Sequence, residues 1–296
     1  MDDDASKVVE LSPEARDALV EKKATCPFLG SAVAEGKLAV RNAAENPLAS
    51  IEDVRKLGNS GGGDLGDLLV VFASGNHALM LSGSGKLDKQ APSGFFSLEL
   101  PGSQGSHAGH SGILQGDPET PGSGRLSEAD FARLVTGAKD GLVKRSDVGR
   151  FIAQNLFRDA KSKVFGNKVA TVLAGDLLDF VQTVGPALMS RFVSPGEDAS
   201  HRDLEQKLTK LLGEDNLVGS VGEFGLLFAF LANKPGAQQI DGEPAVAVQD
   251  LEAMFLRKRL PAGWETWKKS RKDWVTNTTG LLISAGKEYR ELTRGK

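Results

Sequence analysis

Cys26 is the only cysteine in the 296-residue chain, and Pro27 follows it directly in the run Thr25-Cys26-Pro27-Phe28-Leu29-Gly30. A lone thiol has no partner for an internal disulfide, which leaves three uses: thiolate ligand, nucleophile or small buried hydrophobe. Proline is favoured in the first turn of a helix, where its missing N–H would be unpaired anyway. Cys26 is therefore expected at or next to a helix N-cap. There, free backbone N–H groups and the positive end of the helix dipole favour a negative sulfur. That environment suits a haem-ligating thiolate.

A second chemical feature is the loop Gly105-Ser106-His107-Ala108-Gly109-His110-Ser111-Gly112, which holds two of the chain's four histidines. Small residues let backbone approach a ligand closely, and two imidazoles three residues apart can converge. The loop reads as a distal acid/base site, a metal-ligating pair or a plain polar loop. A His-x-x-His pair without Cys or carboxylate company lacks the usual donor set of a zinc site. Cys26 with His107 or His110 also has the residue types of a Cys–His hydrolase, but no oxyanion signature accompanies them.

Other motifs fail on their chemistry. Ser82-Gly83-Ser84-Gly85-Lys86-Leu87 lacks the first glycine and the final Ser or Thr of a phosphate loop. Gly58 to Gly66 is glycine-rich without a preceding strand, which argues against a dinucleotide fingerprint. Thr136 to Asp147 places Gly141 and Val143 as a calcium loop does, but Thr136 and Ala138 stand where oxygen-rich first ligands are needed. An ordinary helix–loop–helix is the expectation there. Asp117-Pro118-Glu119 reads as a solvated loop.

These residues must be positioned by a mostly helical chain. Helices are expected from Ser12-Pro13, from Cys26-Pro27, from Ser50 with its capping-box-like Asp53, and over Asp64–Met80. Others follow from Ser127, from Ser146-Asp147, over Val169–Phe192 with a kink or an early end at Gly185-Pro186, and over Leu204–Leu212. Phe224–Leu231, Val246–Arg259 and Trp274–Leu292 close the chain. Between Ser82 and Gly124 only Phe95–Leu100 reads as a short extended piece; a long irregular stretch of this kind is usually a functional or disordered loop. Phe224, Leu226, Leu227, Phe228 and Phe230 read as core, Trp264 as core or an interface anchor, and Lys268, Lys269, Arg271 and Lys272 as a solvated helix face. The expected fold is mostly α: a single-domain bundle of about ten helices with long Gly/Ser-rich loops.

Composition sets the outer limits. The chain is 40% hydrophobic and 25% charged, with a formal charge of -3 and a pI near 5.9. Nucleic acid and anionic membrane are therefore poor candidate partners. One Tyr and three Trp give little for base stacking. The start Met1-Asp2-Asp3-Asp4-Ala5 does not read as a secretory signal, and no run of about 18 apolar residues reads as a membrane span. With one cysteine, the expectation is a cytoplasmic protein.

Three blocks together resemble the haem-thiolate peroxygenase and chloroperoxidase family. The first is Cys26-Pro27-Phe28-Leu29 with the later Leu38-Ala39-Val40-Arg41-Asn42. The second is Gly109-His110-Ser111-Gly112-Ile113-Leu114, followed by Asp117 and Leu126 to Phe131. The third is Arg259-Leu260-Pro261-Ala262-Gly263-Trp264, one residue shorter than the family's Arg-x-Pro-x-x-Gly-Trp stretch. Order and approximate spacing agree over about residues 24–266. The resemblance implies a divergent, non-secreted member: a helical extension over 1–23, a haem domain over 24–268 and a C-terminal helix over 269–296. It implies haem b held through the Cys26 thiolate, with Pro27 and Phe28 beside it, and peroxide-driven oxidation of a small organic substrate. Gly109-His110-Ser111 stands where the family has Glu-His-Asp, so no second metal is carried over. The family's distal glutamate has no clear counterpart; His110 is the first candidate for the distal proton carrier, then His107, then Glu128, which also reads as a first-turn carboxylate stabilised by its helix dipole. The alternative is a non-catalytic haem- or small-ligand-binding protein of the same fold. A fainter likeness to caleosins around Gly124–Asp147 ranks lower, because the calcium loop they require is not intact.

Overall fold

Helix dominates wherever apolar residues recur at helical spacing. The computed structural model describes residues 7–22, 26–42, 47–80, 94–101, 127–158 and 217–294. Within them lie α1 (Pro13–Lys22), α2 (Pro27–Ala34), α3 (Ile51–Gly58), α4 (Gly66–Asn76), α5 (Glu128–Thr136), α6 (Arg145–Arg158), α7 (Leu217–Leu231), the short α8 (Val248–Leu251) and α9 (Arg271–Arg294). The helices expected over Val169–Phe192 and Leu204–Leu212 lie outside the described residues.

The mostly α expectation holds, but two antiparallel sheets join the helices. The first contains β1 (Val8–Val9), β2 (Val40–Arg41), β3 (Leu48–Ser50), β4 (His77–Met80) and β5 (Phe95–Pro101) in the order β1-β2-β3-β5-β4. The extended piece expected at Phe95–Leu100 is thus an inner strand, with Leu48 opposite Ser97 and Leu79 opposite Phe96. The helix expected over Asp64–Met80 stops at Asn76, and His77 opens β4. Apolar residues in Ala78-Leu79-Met80 serve a strand as well as a helix, so their spacing alone does not mark the change.

The second sheet joins β6 (Leu142–Lys144), β7 (Gln238–Ile240) and β8 (Glu243–Ala247) in the order β6-β8-β7. Asp241 and Gly242 both have positive φ, 55° and 77°, the backbone of a tight two-residue hairpin. A single helix over Val246–Arg259 is therefore not what forms: β8 gives way to α8 and then to a π turn at Glu252–Leu256. The loop between α5 and α6 carries β6 and is an ordinary helix–loop–helix element. Facing polar groups pair with each other: Lys144 with Asp241 at 3.3 Å, and Ser146 Oγ with Glu243 at 2.6 Å.

The core is built on α6, α7 and α9, which pack together. Helix α7 is apolar all round, the pattern of a helix buried by neighbours on every side. Its close approach to α9 needs Gly225, since a Cβ there would lie 2.0 Å from Thr278 Oγ1. Ser127 caps α5 by accepting from the Asp130 N–H at 3.2 Å. Ser50 does stand at the N-cap of α3, but its side chain makes no capping bond.

The turn at Trp264–Thr266 leads into Lys269, which corrects the expectation of a solvated lysine face. Lys269 is fully buried. Its Nζ donates to the carbonyl oxygens of Trp264 and Trp267 and to Ser60 Oγ, and lies 4.4 Å and 4.8 Å from the Trp264 and Trp267 ring centroids. The glycine-rich stretch after α3 now has a structural reason. Gly61, at φ 67°, leaves no room for a Cβ against the Trp267 carbonyl. No described helix is long and apolar enough to cross a membrane.

Candidate functional site

Cys26 is the N-cap of α2, with Pro27 at the first helical position, as the dipeptide implies. Its extended backbone, φ -62° and ψ 120°, turns the chain into the helix, and its carbonyl accepts the Gly30 N–H at 2.8 Å. Every residue from Phe28 to Ala34 is buried, so the helix is fixed by packing on all sides. Phe28 stacks on Phe230 of α7 at 4.6 Å and tilts against Trp264 at 4.9 Å. Ser31 Oγ donates to the Pro27 carbonyl at 2.6 Å.

Beside the thiol opens a pocket of about 590 Å³, solvent at its mouth included. Cys26, Phe28, Phe72, Phe224, Phe230 and Phe255 are among its walls. Phe224, Leu226, Leu227 and Phe230, expected as core, are buried and also line it. Among the described residues, Glu223 is the only carboxylate in the lining.

Charge around the sulfur departs from the sequence expectation. Burial pushes the Cys26 thiol up to about 11; the backbone N–H groups of Leu29 and Phe28 pull it down less strongly, and the Glu223 carboxylate pushes it up further. Lys258 acts in the lowering direction, and burial lowers its own pKa. The helix N-terminus therefore does not by itself make a thiolate, because desolvation outweighs it. The free thiol is protonated at neutral pH, which weakens it as a hydrolase nucleophile.

Behind Cys26 stands His77, a side chain only 1% exposed. The Cys26 N–H donates to His77 Nε2 at 3.4 Å, and His77 Nδ1 lies 3.1 Å from the Ser97 carbonyl of β5. Burial lowers the imidazole pKa to about 4, so the ring is neutral at pH 7. It contacts the cysteine main chain through that bond, which is not the arrangement of a general base on the thiol.

Of the sequence candidates, Cys26, Pro27 and Phe28 come together at the pocket. Glu128 is exposed in the first turn of α5 and is not part of the lining. His107 and His110 lie outside the described residues. Two functional candidates were missed. Glu223 carried a signal, being the only charged residue in Leu217–Leu231. His77 carried none, because its place depends on where α4 ends.

The lining carries donor types that a thiolate-bound haem uses. It offers one soft sulfur at a helix N-terminus, amide N–H groups able to support negative charge there, and apolar aromatic walls. No group of three His, Cys, Asp or Glu side chains that would hold a further metal occurs among the described residues. No family model, no curated protein and no solved structure matches the chain.

Proposed function

We propose that the protein is a haem-thiolate peroxidase or peroxygenase with a chloroperoxidase-like helical domain over residues 24–268, using peroxide to oxidise a small organic substrate. The observation that supports it most is that Cys26 and Glu223 share one apolar pocket. Cys26 would hold the iron of haem b, with Pro27 and Phe28 beside it. When bound, haem supplies the oxidation chemistry, and a thiolate ligand favours cleavage of the peroxide O–O bond.

The chain's own residues have four tasks. Cys26 must release its proton to ligate, so loading improves as pH rises toward its pKa. The N–H groups of Phe28 and Leu29 support the negative sulfur. Glu223 is proposed to accept and return the proton that moves between peroxide oxygens. Phe72, Phe224 and Phe255 keep water from the site. His110 and His107 remain proposed as further proton carriers; Glu128, exposed on α5 and outside the lining, does not.

The test is peroxide-dependent oxidation of a phenolic dye after haem reconstitution. Cys26→Ala should abolish turnover, and Glu223→Gln should lower kcat by about 10²-fold or more. Wild-type turnover in Glu223→Gln, His110→Ala and His107→Ala alike would overturn the proton-carrier assignment. Absence of haem binding would overturn the whole reading. One observation favours a second reading, a non-catalytic binder of an apolar ligand: the sulfur is held as a neutral thiol in an apolar wall. That reading requires an apolar fluorophore to bind wild type and Cys26→Ala equally, with no haem uptake.

A further inference from the structure

His77 sits where a helix hands over to a strand. Asn76 ends α4, His77 opens β4, and the β4–β5 register shifts between His77 and Leu79. Such an irregularity re-aims the side chains beside it. The His77 side chain ends up fully enclosed between α2 and the first sheet. Burying an imidazole is unfavourable unless both ring nitrogens find partners.

Both do, and the partners dictate the roles. A backbone N–H can only donate, so the Cys26 amide makes Nε2 the acceptor. A carbonyl can only accept, so the Ser97 oxygen requires the proton on Nδ1. One tautomer satisfies both bonds. The chain of contacts runs from the Ser97 carbonyl on β5, an inner strand paired on both sides, through the imidazole to the Cys26 amide. It ties the residue that carries the pocket's sulfur to an inner strand of the first sheet.

We propose that His77 is a positioning residue: by accepting the Cys26 N–H while donating to the Ser97 carbonyl, it fixes the N-cap of α2 and so places the Cys26 sulfur at the pocket wall. It acts through the main chain of Cys26 and touches no substrate. The proposal rests on Cys26 being the working thiol of the pocket, but its test needs no haem, so its failure is separable from failure of the haem reading.

Two measurements on the full chain decide it. Long-range ¹H–¹⁵N spectra of the wild-type histidines should show His77 as the Nδ1-protonated tautomer; an Nε2-protonated ring would overturn the proposal. The second compares His77→Gln with His77→Asn. A glutamine amide reaches the place of Nε2, whereas an asparagine amide reaches only the place of Nδ1. Iodoacetamide modification of native Cys26, corrected for global unfolding by urea melts, is the readout. We expect His77→Asn to react about tenfold faster than wild type, the scale of one lost buried hydrogen bond, and His77→Gln to stay within about twofold. Equal rates in the two variants would reduce His77 to core filling and overturn the proposal.

Discussion

Two buried ionisable side chains, Lys269 over the Trp264 ring and Cys26 at the N-cap of the helix that carries Phe28, are treated in opposite ways. Lys269 has carbonyls and a hydroxyl for its ammonium protons and two indole faces around it. Cys26 has a main-chain anchor, while its sulfur is left at an apolar pocket wall, where burial drives it to the neutral form. Full satisfaction marks Lys269 as a structural clamp between the Trp264–Lys269 turn and Ser60. A neutral sulfur held at an apolar pocket wall is the feature on which the proposed ligand role of Cys26 rests. Burial alone does not separate structure from function; what the buried atom faces does.

The largest effect expected from this contrast is at the clamp. Lys269→Met leaves two carbonyls and the Ser60 hydroxyl without their donor and should cost about 3–5 kcal/mol in a urea melt. A loss under about 1 kcal/mol would erase the distinction between the two regions.

The acid limb of stability comes next. His77 has a folded pKa of about 4 against an ordinary 6.5. The unfolded chain therefore takes up a proton at higher pH than the folded one. Stability is complete above pH 6.5 and falls as pH drops toward 4, by about 3 kcal/mol in all. Urea melts from pH 4 to 8 should show this slope in wild type and a flatter one in His77→Gln.

The smallest effect belongs to the rim of the clamp. Glu265 pairs with Lys37 at a half-exposed position, and that partner holds its carboxyl below the usual range. Glu265→Gln should change stability by less than about 1 kcal/mol, with the difference shrinking in high salt. A larger change would move part of the clamp's energy from its centre to its edge.

Much of the helical frame was legible. Cys26-Pro27 announced a cap and a helix start, Ser127 announced another, and the apolar run at Phe224–Leu231 announced a buried helix. What escaped depended on pairing between distant segments. Nothing local in His77–Met80 or Glu243–Ala247 says that each meets a strand, and the Arg–Lys-rich run around Lys269 looked solvated because its acceptors are carbonyls of a turn. The site was half legible for the same reason. Cys26 stood out by being alone, whereas Glu223 fell just before the expected helix Phe224–Leu231 and was passed over; their meeting at one pocket is a tertiary fact. The thiol's charge state was misjudged because a helix N-terminus is visible in sequence and the depth of burial is not.

The haem-thiolate assignment of Cys26 is tested most directly by the ferrous, carbon-monoxide-saturated absorption spectrum after haem reconstitution, in wild type and Cys26→Ala. A strongly red-shifted Soret band in wild type that vanishes in Cys26→Ala is the predicted result. No saturable haem binding, or the same band in both proteins, would contradict it.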